Sequence, residues 1–487
     1  MTANRALRVA ATSARVLTGT IVAAGCVLGV IAGIAAPWPG VEHQPAKVSI
    51  TPVPGDSVLV CNGSFRALGR DTTQAELMIS AGEPRTVIGG SEGDPASAAL
   101  AMPDLAGGSG ARSLTGAVQD REAPLIAGAE SLTLRTDDLV GLSASACRAP
   151  QMRTWLVGGD ASTGAADVIV LSNASEVPST VTLTVYGVQT ATSSQVVPAM
   201  TQVAVPLSSI APGEATPVVQ AAAEGAPVRA SLQSSFTQVL QPIGSDVQDG
   251  MADAQRSLVL TGVQVTALAG DGDAGTVLRM LSPSADGEAV ITVRRENTDE
   301  STEYRMNLLG GVPSELSLGE MPVGTYDVEI TADQPLVAAV RQSIAAGRSA
   351  DFAWMTPAPE ISSDLMFAVP RGPSPLLHLV NPGDAQVSVM IRDGDDESTV
   401  AVPPGESVSV RLWGGSTPVL SPDGPVHASI TMLEEAAGGT APDTTPDVGA
   451  GPDAPPTAPP SEGESVGIAG WPLSPDAQRQ PAITVYP

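Results

Sequence analysis

One apolar, alternating phrase occurs three times in this chain, about a hundred residues apart: APVRASLQSS from Ala226, QPLVAAVRQS from Gln334 and GPVHASITML from Gly424. In each copy a proline follows a turn signal, and Val, Ala or Leu then alternate with polar residues. Period-two alternation describes a strand with one buried face. Proline is tolerated at the first residue of such a strand and hardly anywhere else in a sheet. The surroundings recur as well. Upstream of each copy lies a short apolar run, a turn and an alternating run: VIVLSNASEVPSTVTLTVYG from Val168, VLRMLSPSADGEAVITVRRE from Val277 and LLHLVNPGDAQVSVMIRDGD from Leu376. Val181, Leu183 and Val185 fall on one face of the first of these, and Val387, Val389 and Ile391 on one face of the third.

A weaker copy, PLIAGAES, begins at Pro124, so the prolines that open the phrase are Pro124, Pro227, Pro335 and Pro425. About 100 residues with some seven short strands is the size of an immunoglobulin-like sandwich, whereas solenoid repeats run to about 20 to 50 residues. The fold class expected is therefore all-β, with tandem immunoglobulin-like β-sandwich modules after one N-terminal transmembrane helix. The expected boundaries are 48–152, 153–256, 257–364 and 365–487, strung out as a rod. Aromatics make up only 3% of the chain, so the cores must come from Val, Leu, Ile, Ala and Met.

The fourth module carries an anomaly. Residues 434–466 are rich in Pro, Ala, Gly and Asp with no aromatic, a composition that cannot bury a core and reads as disordered. Yet IAGWPLSP from Ile468 and AITVYP from Ala482 follow, resembling FAWMTPAPEISSDLMFAVP from Phe352. The segment therefore reads as a loop inserted between two strands of one sandwich, which loop-closure entropy tolerates.

The N-terminus sets the compartment. Residues 16–36 are uncharged and long enough as a helix to cross a bilayer core of about 30 Å. Arg5, Arg8 and Arg15 precede them and the first acid is Glu42, so 1–15 is expected inside, 16–37 as a signal-anchor, 38–47 as a linker and the rest outside the cell. A signal peptide cut near Ala35 and a lipoprotein box at VAAGC are the alternatives. The net charge of −28, less the three arginines, leaves −31 outside, which repels nucleic acid. Of three cysteines, Cys26 lies in the apolar run. Cys61 and Cys147 lie outside, where a disulfide persists. Closing that loop contributes about 4 kcal/mol in the chain-entropy model.

Catalytic constellations are scarce. Lys47 is the only lysine, and His43, His378 and His427 are the only histidines. No serine has the strained elbow context of an esterase nucleophile. His378 and His427 fall in expected strands without a zinc-like spacing to Cys or acid, so satisfied strand histidines are the reading. RDGDDE from Arg392 and GDGDAG from Gly270 read as hairpin turns, not calcium loops. GGSGAR from Gly107 lacks the P-loop lysine. Trp155, Trp354 and Trp471 recur at comparable joins and read as core. No cofactor, metal or catalytic residue is expected.

An N-terminal anchor followed by LVCNGSF, ACRAP, RTWLVGG and the repeated phrases resembles the actinobacterial DUF5719 family of exported proteins. Its pieces here are Cys61, Cys147, Trp155, Gly158 and Gly159, although CNGS stands where a CPGP-like segment is expected. The family implies a compartment and no chemistry. The expectation is a non-enzymatic, single-pass membrane protein of the bacterial cell envelope that presents sandwich modules outside the cell. Its partners would be the membrane, through the helix, and an envelope protein or cell-wall glycan. The alternative is an exported enzyme or glycan-binding protein of wall assembly that uses acidic residues on one module.

Overall fold

Each proline of the repeated phrase stands where the chain leaves one β-sheet and enters another. In the computed structural model, which describes residues 3–35, 48–50, 54–68, 77–266, 275–344, 350–434, 467–475 and 483–485, this is clearest at Pro335. Pro335 interrupts the long strand β5 defined below, whose first half pairs with Gln255–Val265 and Gly287–Arg295. Its second half pairs with Val277–Leu281 and Asp351–Met355. Pro227 and Pro425 lie in the turns between Val218–Glu224 and Arg229–Gln238, and between Val419–Pro422 and Val426–Glu434. A residue without an N–H costs least where pairing is being handed over.

The four strands after the crossing each form a hairpin with the next strand. These eight strands are β1 (Ile126–Arg135) with β2 (Val140–Ala146), β3 (Arg229–Gln238) with β4 (Gln241–Asp249), β5 (Gly324–Ile344) with β6 (Asp351–Met355), and β7 (Val426–Glu434) with β8 (Gly467–Pro472). Around them the same strand order recurs. In the second pair of sheets, Thr201–Pro206, Val168–Asn173, β3 and β4 face Arg153–Leu156, Val218–Glu224, Ser179–Tyr186 and Ala191–Val197. The third pair has Ser314–Ser317, Val277–Leu281, β5 and β6 against Gln255–Val265, β5, Gly287–Arg295 and Ser301–Leu308. The fourth has Ser407–Arg411, Leu376–Val380, β7 and β8 against Leu365–Met366, Val419–Pro422, Val387–Asp393 and Asp396–Val402. The first is a shorter version: Arg85–Gly90, β1 and β2 against Ser57–Cys61, Arg112–Gly116 and Ala96–Ala99.

The two sheets of a pair share one core. In the second, Ile169, Leu171 and Leu232 of one sheet meet Val181, Leu183 and Val185 of the other, all fully buried. These are the alternate positions read from the sequence. Val387, Val389 and Ile391 do the same in the fourth. The turn at RDGDDE is the hairpin bend between Asp393 and Asp396, with Gly394 at φ 60°.

Two expectations need correction. The sheet pairs do not form a rod. Residues Val53–Gln480 make one compact unit in which β2 packs on β4, β4 on β6, β6 on β8 and β8 on β2, so the first pair touches the last. Leu142 and Ala144 of β2 join the core of the fourth pair. The physical reason lies in β6 and β8, whose residues are buried on both faces and cannot sit at a solvent-facing edge. The second correction concerns the C-terminus. Ile468 and Trp471 lie on β8 beside β7, but Ile483–Val485 pairs antiparallel with Val48–Ile50 in a separate unit, Met1–Pro52 with Pro481–Pro487. It does not close the last sheets. That second unit also holds the helix Ala3–Ala35, whose segment Val16–Ile34 is exposed and apolar over 19 residues. His43, Trp38, residues 270–274 of GDGDAG and the insertion from residue 435 to 466 lie outside the described residues.

Candidate functional site

Two of the four strands that meet at the centre are rich in small residues. β2 reads VGLSASA and β8 reads GIAGWP. Gly141 has φ 130° and Gly244 φ 157°, and a Cβ on either would come within 2.4 Å and 2.7 Å of Asp351 Oδ1. Glycine is required there because another strand's carboxylate occupies the space. Asp351, at the start of β6, is 1% exposed. Its Oδ2 accepts the backbone N–H of Leu142 (2.9 Å) on β2 and of Ile468 (3.0 Å) on β8, and its Oδ1 accepts that of Ser245 (3.2 Å) on β4. One side chain thus ties together strands from all four sheet pairs. Burial holds its carboxyl well above the usual range, against the pull of those N–H groups. Asp246, beside it on β4, accepts the Trp354 N–H at 2.7 Å and is pushed up to about 8 by burial. Asp167 is pushed up to about 7 for the same reason.

These shifts set a pH dependence. An acid with a raised folded pKa keeps a proton that the unfolded chain has lost, so its contribution to stability falls as pH rises from about 4 to its folded value. The buried histidines run the other way. Burial lowers His378 to about 4 and lowers His427, so their contribution is present above about 6.5 and lost as pH falls below it. The two effects oppose each other below pH 6.5, and only the acids act above it. The thermal midpoint is therefore expected to fall between pH 6.5 and 8, and Asp246→Asn is expected to flatten that slope. A midpoint that is constant or rising across this window would contradict the assignment.

Toward the other end of the same strands lies a cavity of about 570 Å³. Arg148, just after β2, and Arg229, on β3, form one corner. Arg148 Nε and Arg229 Nη2 donate to the two oxygens of Asp249, at 3.0 Å and 2.8 Å. Arg229 also donates to the Val60 and Ala146 carbonyls, each at 2.8 Å, while its Nε has no partner. The wall also carries Glu329 on β5, His427 on β7, and Glu360 on the short strand paired with β7 at His427. Nδ1–H of His427 donates to the Ala358 carbonyl at 2.7 Å, which leaves Nε2 as the acceptor of a neutral ring.

The sequence had singled out Cys61 and Cys147, and the structure joins them in a disulfide with Cα atoms 4.3 Å apart. The bond adjoins the cavity wall. Val60 and Arg148, each next to a cysteine, exchange backbone hydrogen bonds of 2.8 Å and 3.0 Å, which fixes the backbone from which the Arg148 side chain extends. Cys61, Cys147 and the buried Glu130 cluster within ligand distance of one another, but both sulfurs are taken by the disulfide.

His378 and His427 do not share a site. The His378 ring is closed off, 2% exposed, between Thr431 Oγ1 on Nε2 and Ser409 Oγ on Nδ1, both at 2.7 Å. With both ring nitrogens partnered, and the Glu296 carboxylate 3.9 Å from Nδ1, it is a satisfied core histidine. Trp155, Trp354 and Trp471 are 2–4% exposed and pack in the cores, with Trp354 stacked at 4.7 Å on the Arg279 guanidinium. Sequence reasoning missed Asp351, Asp249, Arg148 and Arg229, since single Asp and Arg residues carry no spacing signal.

No curated protein matches the chain. A family model does, over residues 104–413, from within the first sheet pair to within the fourth and across almost two thirds of the sequence. Its description is a family of unknown function, and on that match the chain belongs to the DUF5719 family.

Proposed function

We propose that this is a non-enzymatic, single-pass protein of the bacterial cell envelope. Its N-terminal helix is an uncleaved anchor, and its four sheet pairs are immunoglobulin-like sandwiches held outside the membrane as a binding head. The observation that carries the reading is the combination of a 19-residue exposed apolar helix with three arginines on its N-terminal side and a disulfide in the large unit. Positive charge stays inside and disulfides persist outside. The closed arrangement of the sheet pairs adds support, because a head built on one central junction presents loops and cavities rather than an extended wall. Its partners would be an envelope protein or a cell-wall component.

The test uses cells that carry the full chain with an N-terminal epitope tag, stripped of their wall and treated with protease. The expected result is loss of the large unit and survival of a short tagged fragment in the membrane. A protected large unit would refute the orientation, and a mature protein lacking the tag would refute the anchor in favour of a cleaved signal.

A further inference from the structure

Each sheet pair ends its second sheet in an edge strand, and the repeats allow these edges to be compared. In the third and fourth pairs they are Ser301–Leu308 and Asp396–Val402. Both carry paired charges. Arg305 meets Glu303 at 2.9 Å and Glu288 on the neighbouring strand at 3.2 Å, and Glu397 meets Arg392 at 3.6 Å. Charged side chains on an edge keep other chains from adding to the sheet. The edge of the first pair, Ala96–Ala99, is uncharged but only four residues long. Just beyond it, Ala101 is tied to Met200 and Gln202 by backbone hydrogen bonds of 2.9 Å and 2.8 Å. A short edge is protected as well.

The edge of the second pair has neither protection. It is Ala191–Val197, seven residues reading ATSSQVV. It lies within residues 177–213, a run of 37 residues with no Asp, Glu, Lys, Arg or His, in a chain where about one residue in six is charged. Val177, Val188 and Val196 of this run are 55–87% exposed. The register shows where the backbone groups of the edge point. The Ala223 N–H donates to the Met152 carbonyl at 2.8 Å, so odd-numbered residues of Val218–Glu224 face Arg153–Leu156 and even-numbered ones face Ser179–Tyr186. Through the pairs Thr182–Ala222 and Leu183–Ser193, the same alternation turns the N–H and C=O of Thr192, Ser194 and Val196 to the open edge. The Val196 carbonyl accepts Gln195 Nε2 at 3.1 Å, and the other five groups have no hydrogen-bond partner among the described residues.

We infer that Ala191–Val197 pairs antiparallel with the same strand of a second copy of this chain, about a two-fold axis at Ser194. An antiparallel edge is its own complement, because the two-fold sets each outward N–H opposite an outward C=O. Centring on Ser194 uses the whole strand, about 24 Å. Ser194 then faces Ser194 of the second copy, and Thr192 faces Val196 in both directions, which closes about six hydrogen bonds. Thr and Val are β-branched and suit a paired strand. Charge selects the same edge. Each copy carries a net charge of −28, so two copies repel over most of their surface, and along this run they meet without like charges opposed. The inference concerns the large unit alone and stands whichever way the helix is oriented.

The experiment combines sedimentation velocity with cysteine cross-linking of the full-length protein in mild detergent. Cross-linking by a short bis-maleimide uses a Cys26→Ser background, because Cys26 is the free cysteine. Ser194→Cys is expected to give at least about five-fold more covalent dimer than Ser398→Cys, which is also exposed but lies on the charged edge Asp396–Val402. Ser194→Lys sets two lysines against each other at the axis and is expected to weaken dimerisation about ten-fold or more at an unchanged thermal midpoint. A protein that is monomeric at about 100 μM would overturn the proposal and leave the edge to a strand of some other protein. Equal cross-linking of the two cysteine variants, or a dimer that Ser194→Lys leaves intact, would place the association on another surface and overturn it as well.

Discussion

Asp351→Ala is expected to destabilise the large unit strongly. The carboxylate accepts N–H groups from β2, β4 and β8, and Leu142, Ser245 and Ile468 are all nearly or fully inaccessible. Alanine leaves those three donors without partners and without water. An orphaned buried donor costs about 1–3 kcal/mol, so the loss is about 3–9 kcal/mol. On a chain of this size that is of order 10 °C in the thermal midpoint. Asp351→Asn is the informative companion. Its carbonyl oxygen can serve the Leu142 and Ile468 donors, while its amide N–H₂ then faces the Ser245 N–H, so an intermediate loss is expected. The measurement is the midpoint of the full-length protein in mild detergent, followed by tryptophan fluorescence. An Asp351→Ala variant within about 1 kcal/mol of the parent would mean that the four-way junction is held by packing alone.

That junction marks the limit of what the sequence could convey. The strands were legible because their buried faces are periodic. Val181, Leu183 and Val185 alternate with threonines, and the structure buries that set. The recurrence of the phrase was legible because the same crossing between sheets imposes the same proline-led strand each time. What was hidden is how four such units meet. FAWM in β6 and GIAGW in β8 do not alternate, which signals a strand covered on both faces, but the covering element belongs to a different sheet pair. Gly141 and Gly244 look like ordinary turn glycines until Asp351 is placed beside them. The cavity was equally hidden. Arg148 and Arg229 are 81 positions apart, and they converge on Asp249 only because the disulfide and the hairpins bring three chain segments together. The rod failed for the same reason: local repeats define the unit, whereas contacts between units depend on side chains that satisfy no local pattern.

Truncation after Glu434 tests the closure from the other side, and three variants separate its causes. It removes β8, with Ile468, Trp471 and Leu473 at 1–3% exposure. Burial of such side chains contributes roughly 1.5–3 kcal/mol each, and a buried Trp reaches about 3–5 kcal/mol by truncation. The same cut strips the paired edge of β7 and removes the Ile468 N–H from Asp351. The summed loss of about 6–11 kcal/mol compares with a domain stability of about 5–15 kcal/mol, so the fourth pair of sheets is expected to unfold. A chain ending at residue 475 keeps β8 and loses Ile483–Val485, whose partner is Val48–Ile50 in the other unit. Its large unit is expected to melt as the parent does. Deleting residues 440–460 removes Pro/Ala/Gly/Asp-rich sequence with no aromatic and is likewise expected to leave the midpoint nearly unchanged. Limited proteolysis and thermal melting of the three side by side decide the matter. If the chain ending at Glu434 melts with the other two, β8 contributes nothing to the head, and the closed junction around Asp351 is not what holds the four sheet pairs together.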